Sequence, residues 1–279
     1  MIPTVITATS LSDAWFQLVY NLMRGRAAHS VYEITSGSYV GQKRLEYNFV
    51  LATIDQPGIR PLIPEMPPQL NIPPPVESMD YVNDYFAKYL MGTELESNET
   101  YIYGTWLAPG VQRVIEQLRS SPGNNQAAIS IGGWAPEDPG GPWLAEVSTI
   151  VGKSPNRGEH KVGERCIDTD NYVDPGTGQR DPACLRVVDF RLDRDNKLHM
   201  FVYFRSWDLW GGFPANLAGL QLVKEYIGQE LGAEDGKIIC ASKGLHLYDY
   251  CIDAAAQRTS MQGVDSMDSF LDHIEKRID

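Results

Sequence analysis

The chain has 279 residues, enough to bury a large core in one or two domains. An apolar share of 43% is ordinary for a globular protein, and a formal charge of −12 argues against a nucleic-acid duplex as partner, which calls for a basic stripe. No apolar run approaches the roughly 20 residues that span a bilayer, and Met1-Ile2-Pro3-Thr4 lacks the charged and apolar regions of a secretion signal. The expectation is a cytoplasmic protein with no membrane contact. Its four cysteines, Cys166, Cys184, Cys240 and Cys251, show no CxxC spacing. In a reducing compartment they read as thiols, neither staples nor a metal site, and a cysteine taken alone is most often a small buried apolar residue.

Residues 11–24 predict a helix capped by Ser12, with Ala14, Leu18 and Leu22 on one face. Two strand-like stretches follow, 30–40 and 44–54, joined near Gly41. Residues 55–76 hold eight prolines and predict a long extended surface loop. Helices are expected over 78–92, ending at Gly92, and over 111–119, broken by Pro122-Gly123. Residues 127–132 read as a strand, and 135–182, rich in Gly, Pro, Asp and Asn, as an insertion or lid. Strands at 184–191 and 197–206 flank the turn Asp193-Arg194-Asp195-Asn196. Their imperfect alternation suggests that at least one of them is buried on both faces. A helix over 214–231 carries the stripe Leu217, Leu220, Val223, Ile227. Residues 238–242 and 245–248 are strand-like, and the polar tail from 261 reads as helical. The sum is one α+β domain, a mixed or antiparallel sheet with helices on one face.

One constellation stands out. Cys184 opens a strand after a proline turn, and its reactivity would need a nearby cation. Arg205 ends the adjoining strand and has the fork geometry that grips phosphate. Ser206 adds a hydroxyl. Asp208 offers acceptors for two N–H groups of a heterocycle. Asn216 is either a helix cap or a reader of an N–H/C=O base edge. His246 and Tyr248 alternate on a strand, so they share a face and suit a sugar hydroxyl or a proton relay. The bland readings, a packing thiol, a surface arginine and a simple cap, stay open for each residue alone.

The order Pro182-Ala183-Cys184, Arg205-Ser206-Trp207-Asp208, Gly212-Phe213-Pro214-Ala215-Asn216 and His246-Leu247-Tyr248 resembles the thymidylate synthase family over residues 180–250. Tyr103-Gly104 and Gly41-Gln42-Lys43-Arg44 extend the likeness upstream. The resemblance implies a homodimer of α+β subunits that uses methylenetetrahydrofolate as co-substrate to alkylate C5 of a pyrimidine nucleotide, without a metal. It implies that Cys184 adds to C6 of the base, that Arg205 and Ser206 hold the phosphate, and that Asn216 reads the uracil edge. By the same likeness His246 and Tyr248 bind the ribose, with Tyr248 or a water near the C5 proton, and Asp208, with Gly212, meets the folate pterin.

The chain departs from that pattern in four places. Trp207 replaces a small central residue. Asn125 and Gln126 stand where the family has an arginine pair reaching the partner's phosphate, each lost charge-assisted bond costing about 1.5–3 kcal/mol; Arg24, Arg26, Lys43 or Arg44 are candidates to compensate. The family's catalytic glutamate has no clean match, Asp84 being the nearest acid by position. The closing C-terminal segment is not recognisable in 266–279. Conversion of dUMP to dTMP is the leading expectation. C5-hydroxymethylation of a uridylate or cytidylate is the alternative, and a non-catalytic nucleotide- or folate-binding relative is a third.

Overall fold

A computed structural model of the chain describes residues 2–35, 39–94, 101–132, 134–135, 167–168 and 183–276. Contacts divide the chain into two compact units, Met1–Ile131 with Cys184–Asp279, and Gly132–Ala183. In the second unit a two-stranded antiparallel ladder joins β6 (Trp134–Ala135) to β7 (Ile167–Asp168). The rest of the expected insertion over 135–182, Cys166 included, lies outside the described residues.

The first unit is built on a six-stranded mixed sheet. Its order is β1 (Thr4–Ala8), β4 (Val50–Ile54), β11 (Glu234–Ser242), β9 (Lys197–Phe204), β8 (Leu185–Leu192), β5 (Ala128–Ser130). The β1–β4 and β11–β9 pairs are parallel, the others antiparallel. A four-stranded sheet orders β10 (Trp207–Asp208), β12 (Leu245–Tyr248), β3 (Lys43–Tyr47) and β2 (His29–Glu33). The single strand expected over 44–54 is thus two strands in different sheets. The chain turns at Asn48-Phe49, whose backbone bonds Asn48 to Ala28 and Phe49 to Thr4.

Helices α1 (Leu11–Met23), α3 (Gly104–Ser120) and α4 (Gly212–Leu231) cover the buried face of the large sheet, α4 lying in contact with both others. The expected stripes are the core: Ala14, Leu18 and Leu22 are fully buried, as are Leu217, Leu220, Val223 and Ile227. Burying such an aliphatic side chain is worth about 1.5–3 kcal/mol, which is what fixes the helices to the sheet. The cap of α1 is Ser10 rather than Ser12, its Oγ accepting the Asp13 N–H, because the buried stripe already begins at Leu11. α3 runs through Pro109 and starts seven residues before the expected 111. The proline removes one helical hydrogen bond, on the exposed side at Thr105, where water can serve the carbonyl. Helix α2 (Met79–Asp84) continues not as α-helix but as a π-helical segment, Tyr85–Leu90. Two further helices follow β12: α5 (Ile252–Arg258), which the sequence reading passed over, and α6 (Met267–Glu275).

Strands β8 and β9 alternate buried with half-exposed residues, so neither is covered on both faces in the single chain, contrary to expectation. The uncovered face carries a ladder-aligned row of Val5, Leu51, Ala241, Tyr203 and Val187, with Ile239 and Phe201 in the next row. Among the described residues no helix is long and apolar enough to cross a membrane.

Candidate active site

The candidate residues gather where the two sheets meet. β8 begins beside the end of β9, and a register shift between Leu185 and Val187 marks a bulge there. The Arg205 N–H donates to the Cys184 carbonyl at 2.9 Å, so the expected neighbours are backbone partners. The chain then crosses to the small sheet, where Asp208 pairs with His246 and Tyr248 with Arg44. Gly244 makes the crossing possible: a Cβ there would sit 2.8 Å from the Arg205 carbonyl oxygen.

Asp208 organises the start of α4. Its Oδ1 accepts the Trp210 N–H, and its Oδ2 accepts those of Gly211 and Gly212, at 2.9–3.0 Å. A carboxylate at a helix N-terminus also meets the positive end of the helix dipole. With about four lone-pair sites and three filled, the carboxylate has room for one further N–H rather than the two expected. Gly212 lends its own N–H to this cap.

Asn216 is gripped at both ends. Its Oδ1 accepts the Trp207 indole N–H at 2.9 Å, and its Nδ2 donates to the Tyr85 hydroxyl at 2.8 Å. It does not cap α4, whose start is held by Asp208. Trp207 is buried between Phe204, stacked at 3.9 Å between ring centroids, and Phe213 at 4.6 Å. Gly219 of α4 lets Tyr85 in, since a Cβ there would lie 2.8 Å from the Tyr85 ring.

A tyrosine belt joins Asn216 to Cys184, and of its members only Tyr103 falls in a motif of the sequence. Tyr85 stacks on Tyr89, Tyr89 meets Tyr103 edge-on, both at 5.3 Å, and Tyr103 contacts Tyr101 at 5.6 Å. The Cys184 N–H donates to the Tyr101 hydroxyl, and the Leu185 N–H to the Tyr103 hydroxyl. Burial raises the phenol pKa of Tyr85, Tyr101 and Tyr103 well above its usual value, so all three keep their protons at neutral pH. The signal available in the sequence was the run of Tyr85, Tyr89, Tyr101 and Tyr103, hidden by their spread across a helix and a loop.

His246 is buried, its Nδ1 at 2.8 Å from the Gly244 carbonyl. That bond requires a proton on Nδ1. Burial lowers the imidazole pKa, so the neutral ring presents an unprotonated Nε2, which has no partner among the described residues. An orphaned buried acceptor suits a ligand hydroxyl. Tyr248 lies edge-on to it at 4.5 Å, half-buried; burial, then the nearby charge of Asp208, pushes its phenol up to about 12. Glu46 stands 3.9 Å from His246 and pairs with Arg44 at 2.9 Å; burial raises its carboxyl.

Two expectations fare differently. Asp84 is not drawn into the site: its side chain is 69% exposed and pairs with Lys88 at 2.8 Å, the setting of a solvated surface carboxylate. Of the four cations named as compensators, Arg24 is bonded to the carbonyls of Thr259 and Ser260 and Lys43 to Asp268, whereas Arg44 lies across the ladder from Tyr248. Asn125 and Gln126 are exposed after α3. Cys240 and Cys251 are buried, Cys240 with its thiol pushed up to about 12, and Cys251 also raised, so neither suits nucleophilic work.

The chain is similar to known proteins. The thymidylate synthase family model matches residues 174–273. A provisionally named thymidylate synthase of Methanosarcina mazei is 26% identical over 255 residues, covering 88% of this chain and 90% of that protein. The thymidylate synthase of Cereibacter sphaeroides is 31% identical over 78 residues, 28% of this chain and 26% of its own. Thermostable thymidylate synthase A from Bacillus subtilis shares the fold at a TM-score of 0.54 and 12% identity, covering 90% of this chain and 84% of its own. The chain is thus similar to thymidylate synthases in sequence over residues 174–273, and in fold.

Proposed function

We propose that the protein is a folate-dependent one-carbon transferase acting at C5 of a pyrimidine nucleotide, with dUMP to dTMP as the reaction it fits best. The observation that supports this reading is the backbone bond between Arg205 and Cys184, which makes the two residues neighbours. Cys184, as thiolate, adds to C6 of the base; the displaced electron pair makes C5 nucleophilic. Arg205 and Ser206 hold the phosphate, and Arg44 is the second cation. Asn216 reads the base edge, and the bare Nε2 of His246 accepts a sugar hydroxyl. Tyr248, protonated at neutral pH, stands by the C5 proton.

Methylenetetrahydrofolate supplies the one-carbon unit. The remaining acceptor site on Asp208 fits one pterin N–H, beside Gly212. No metal enters this scheme. The belt of tyrosine hydroxyls supplies the proton donors that Asp84, exposed and ion-paired, does not. A homodimer would cover the row of Val5, Leu51, Ala241, Tyr203 and Val187; Val5 is 61% exposed in the single chain.

The test is incubation with methylenetetrahydrofolate and each of dUMP, UMP, dCMP and CMP, with product mass and folate oxidation state as readouts. A methylated product with dihydrofolate is the expected result. A hydroxymethylated product with tetrahydrofolate assigns the last step to water. No product, and no tritium released from C5 of any of the four, leaves only a binding protein.

A further inference from the structure

We propose that Trp207 locks the amide of Asn216 in one orientation and thereby sets which pyrimidine edge the site accepts. This rests on the reading above that Asn216 faces the base. The indole N–H is a donor only, so the atom it meets at 2.9 Å is the amide oxygen. The amino group is thereby turned to the Tyr85 hydroxyl, 2.8 Å away. A half-turn of the amide would set its N–H₂ against the indole N–H, losing one bond and opposing two donors. Neither partner can yield: Trp207 is 3% exposed and held by Phe204 and Phe213, and Tyr85 is held by Tyr89 and the bare Cα of Gly219.

Two of the amide's four hydrogen-bonding positions are thus committed, leaving one lone pair and one N–H in fixed order. Uracil offers an N–H at position 3 and a carbonyl at 4. Cytosine offers an acceptor at 3 and an amino group at 4. A freely flipping amide serves both edges, because the flip exchanges donor and acceptor; a locked amide serves one. Trp207 is the residue at which the chain departs from the thymidylate synthase motif, and the lock is what the large side chain adds. It is a positioning residue, acting through Asn216.

The experiment measures calorimetric dissociation constants for dUMP and dCMP on the full chain and on Trp207→Phe, which keeps the ring stack and removes the N–H. The wild type is expected to favour dUMP, and Trp207→Phe to shrink that preference about tenfold, the worth of one net hydrogen bond. Tyr85→Phe, which releases the other end of the amide, moves the ratio in the same direction and serves if the tryptophan variant fails to fold. Asn216→Asp separates the two claims. If it leaves the dUMP:dCMP ratio unchanged, Asn216 does not read the base. If it shifts the ratio while Trp207→Phe and Tyr85→Phe do not, the base reading stands and the lock is overturned.

Discussion

Helix α4 carries two polar networks that behave oppositely. At its N-terminal end, Asn216 bonds Trp207 and Tyr85 while Asp208 holds three backbone N–H groups, yet Asp208 and Asn216 keep hydrogen-bonding positions to spare, and His246 keeps a bare Nε2. At its far end, Lys224 is 1% exposed and its ammonium meets the Gly236 carbonyl and, at 3.1 Å, Asp235; Arg60 forks onto both oxygens of Glu225 at 2.8 Å. Burial lowers the Lys224 pKa, but the neighbouring carboxylates oppose that, and charge meets charge. The difference separates a site from a brace. A brace closes its charges on itself, whereas a site holds positions whose partners arrive with the ligand.

The sharpest break of this comparison is Cys184→Ser. It should lower C5-tritium release by at least about a thousandfold, with the melting midpoint nearly unchanged, because serine keeps the backbone bonds to Tyr101 and Arg205. Lys224→Ala should do the reverse. It leaves the Gly236 carbonyl orphaned and costs about 2–3 kcal/mol in urea unfolding, after allowance for the exposure of Asp235, while turnover per folded molecule stays within twofold.

A pH series sharpens the contrast further. The folded pKa of His246 lies below its ordinary 6.5, so the folded state binds fewer protons than the unfolded one. Its stability contribution is complete above pH 6.5 and is lost as pH falls toward the folded value. Glu46, raised by burial, works in the opposite sense, its contribution present at low pH and lost as pH rises through its folded pKa. His246→Gln should therefore flatten the fall of the melting midpoint between pH 7 and pH 5 and leave the Glu46 part in view. The smallest effect belongs to Asp84→Asn, expected to change stability by under about 0.5 kcal/mol and turnover by less than twofold, as befits an exposed i,i+4 pair. A large loss of turnover would return Asp84 to the chemistry.

Local rules carried the sequence a long way. The period of Leu217, Leu220, Val223 and Ile227 gave α4, and the alternation of His246 and Tyr248 gave β12 within its bounds. Motif order names Cys184, Arg205, Asp208, Asn216 and His246 as candidates, because each motif segment is short and chemically distinct. Elements that depend on context were missed. The helix expected over 111–119 begins at Gly104 and runs through Pro109, since packing on the sheet outweighs one lost hydrogen bond on the exposed side. The imperfect alternation of β8 and β9 suggested burial on both faces, yet their second face is open in one chain.

By itself the sequence determined which groups are candidates: a thiol after a proline turn, an arginine-serine pair, an amide and a His/Tyr face. Residue type and short-range spacing are written in the chain and need no partner to be read. Only the tertiary structure decided how those groups are committed. It closed three backbone N–H groups on Asp208, turned the Asn216 oxygen to Trp207, drew in four tyrosines from two segments and left Asp84 in water. Hydrogen bonds and burial are properties of what lies opposite, and what lies opposite is set by the packing of distant segments.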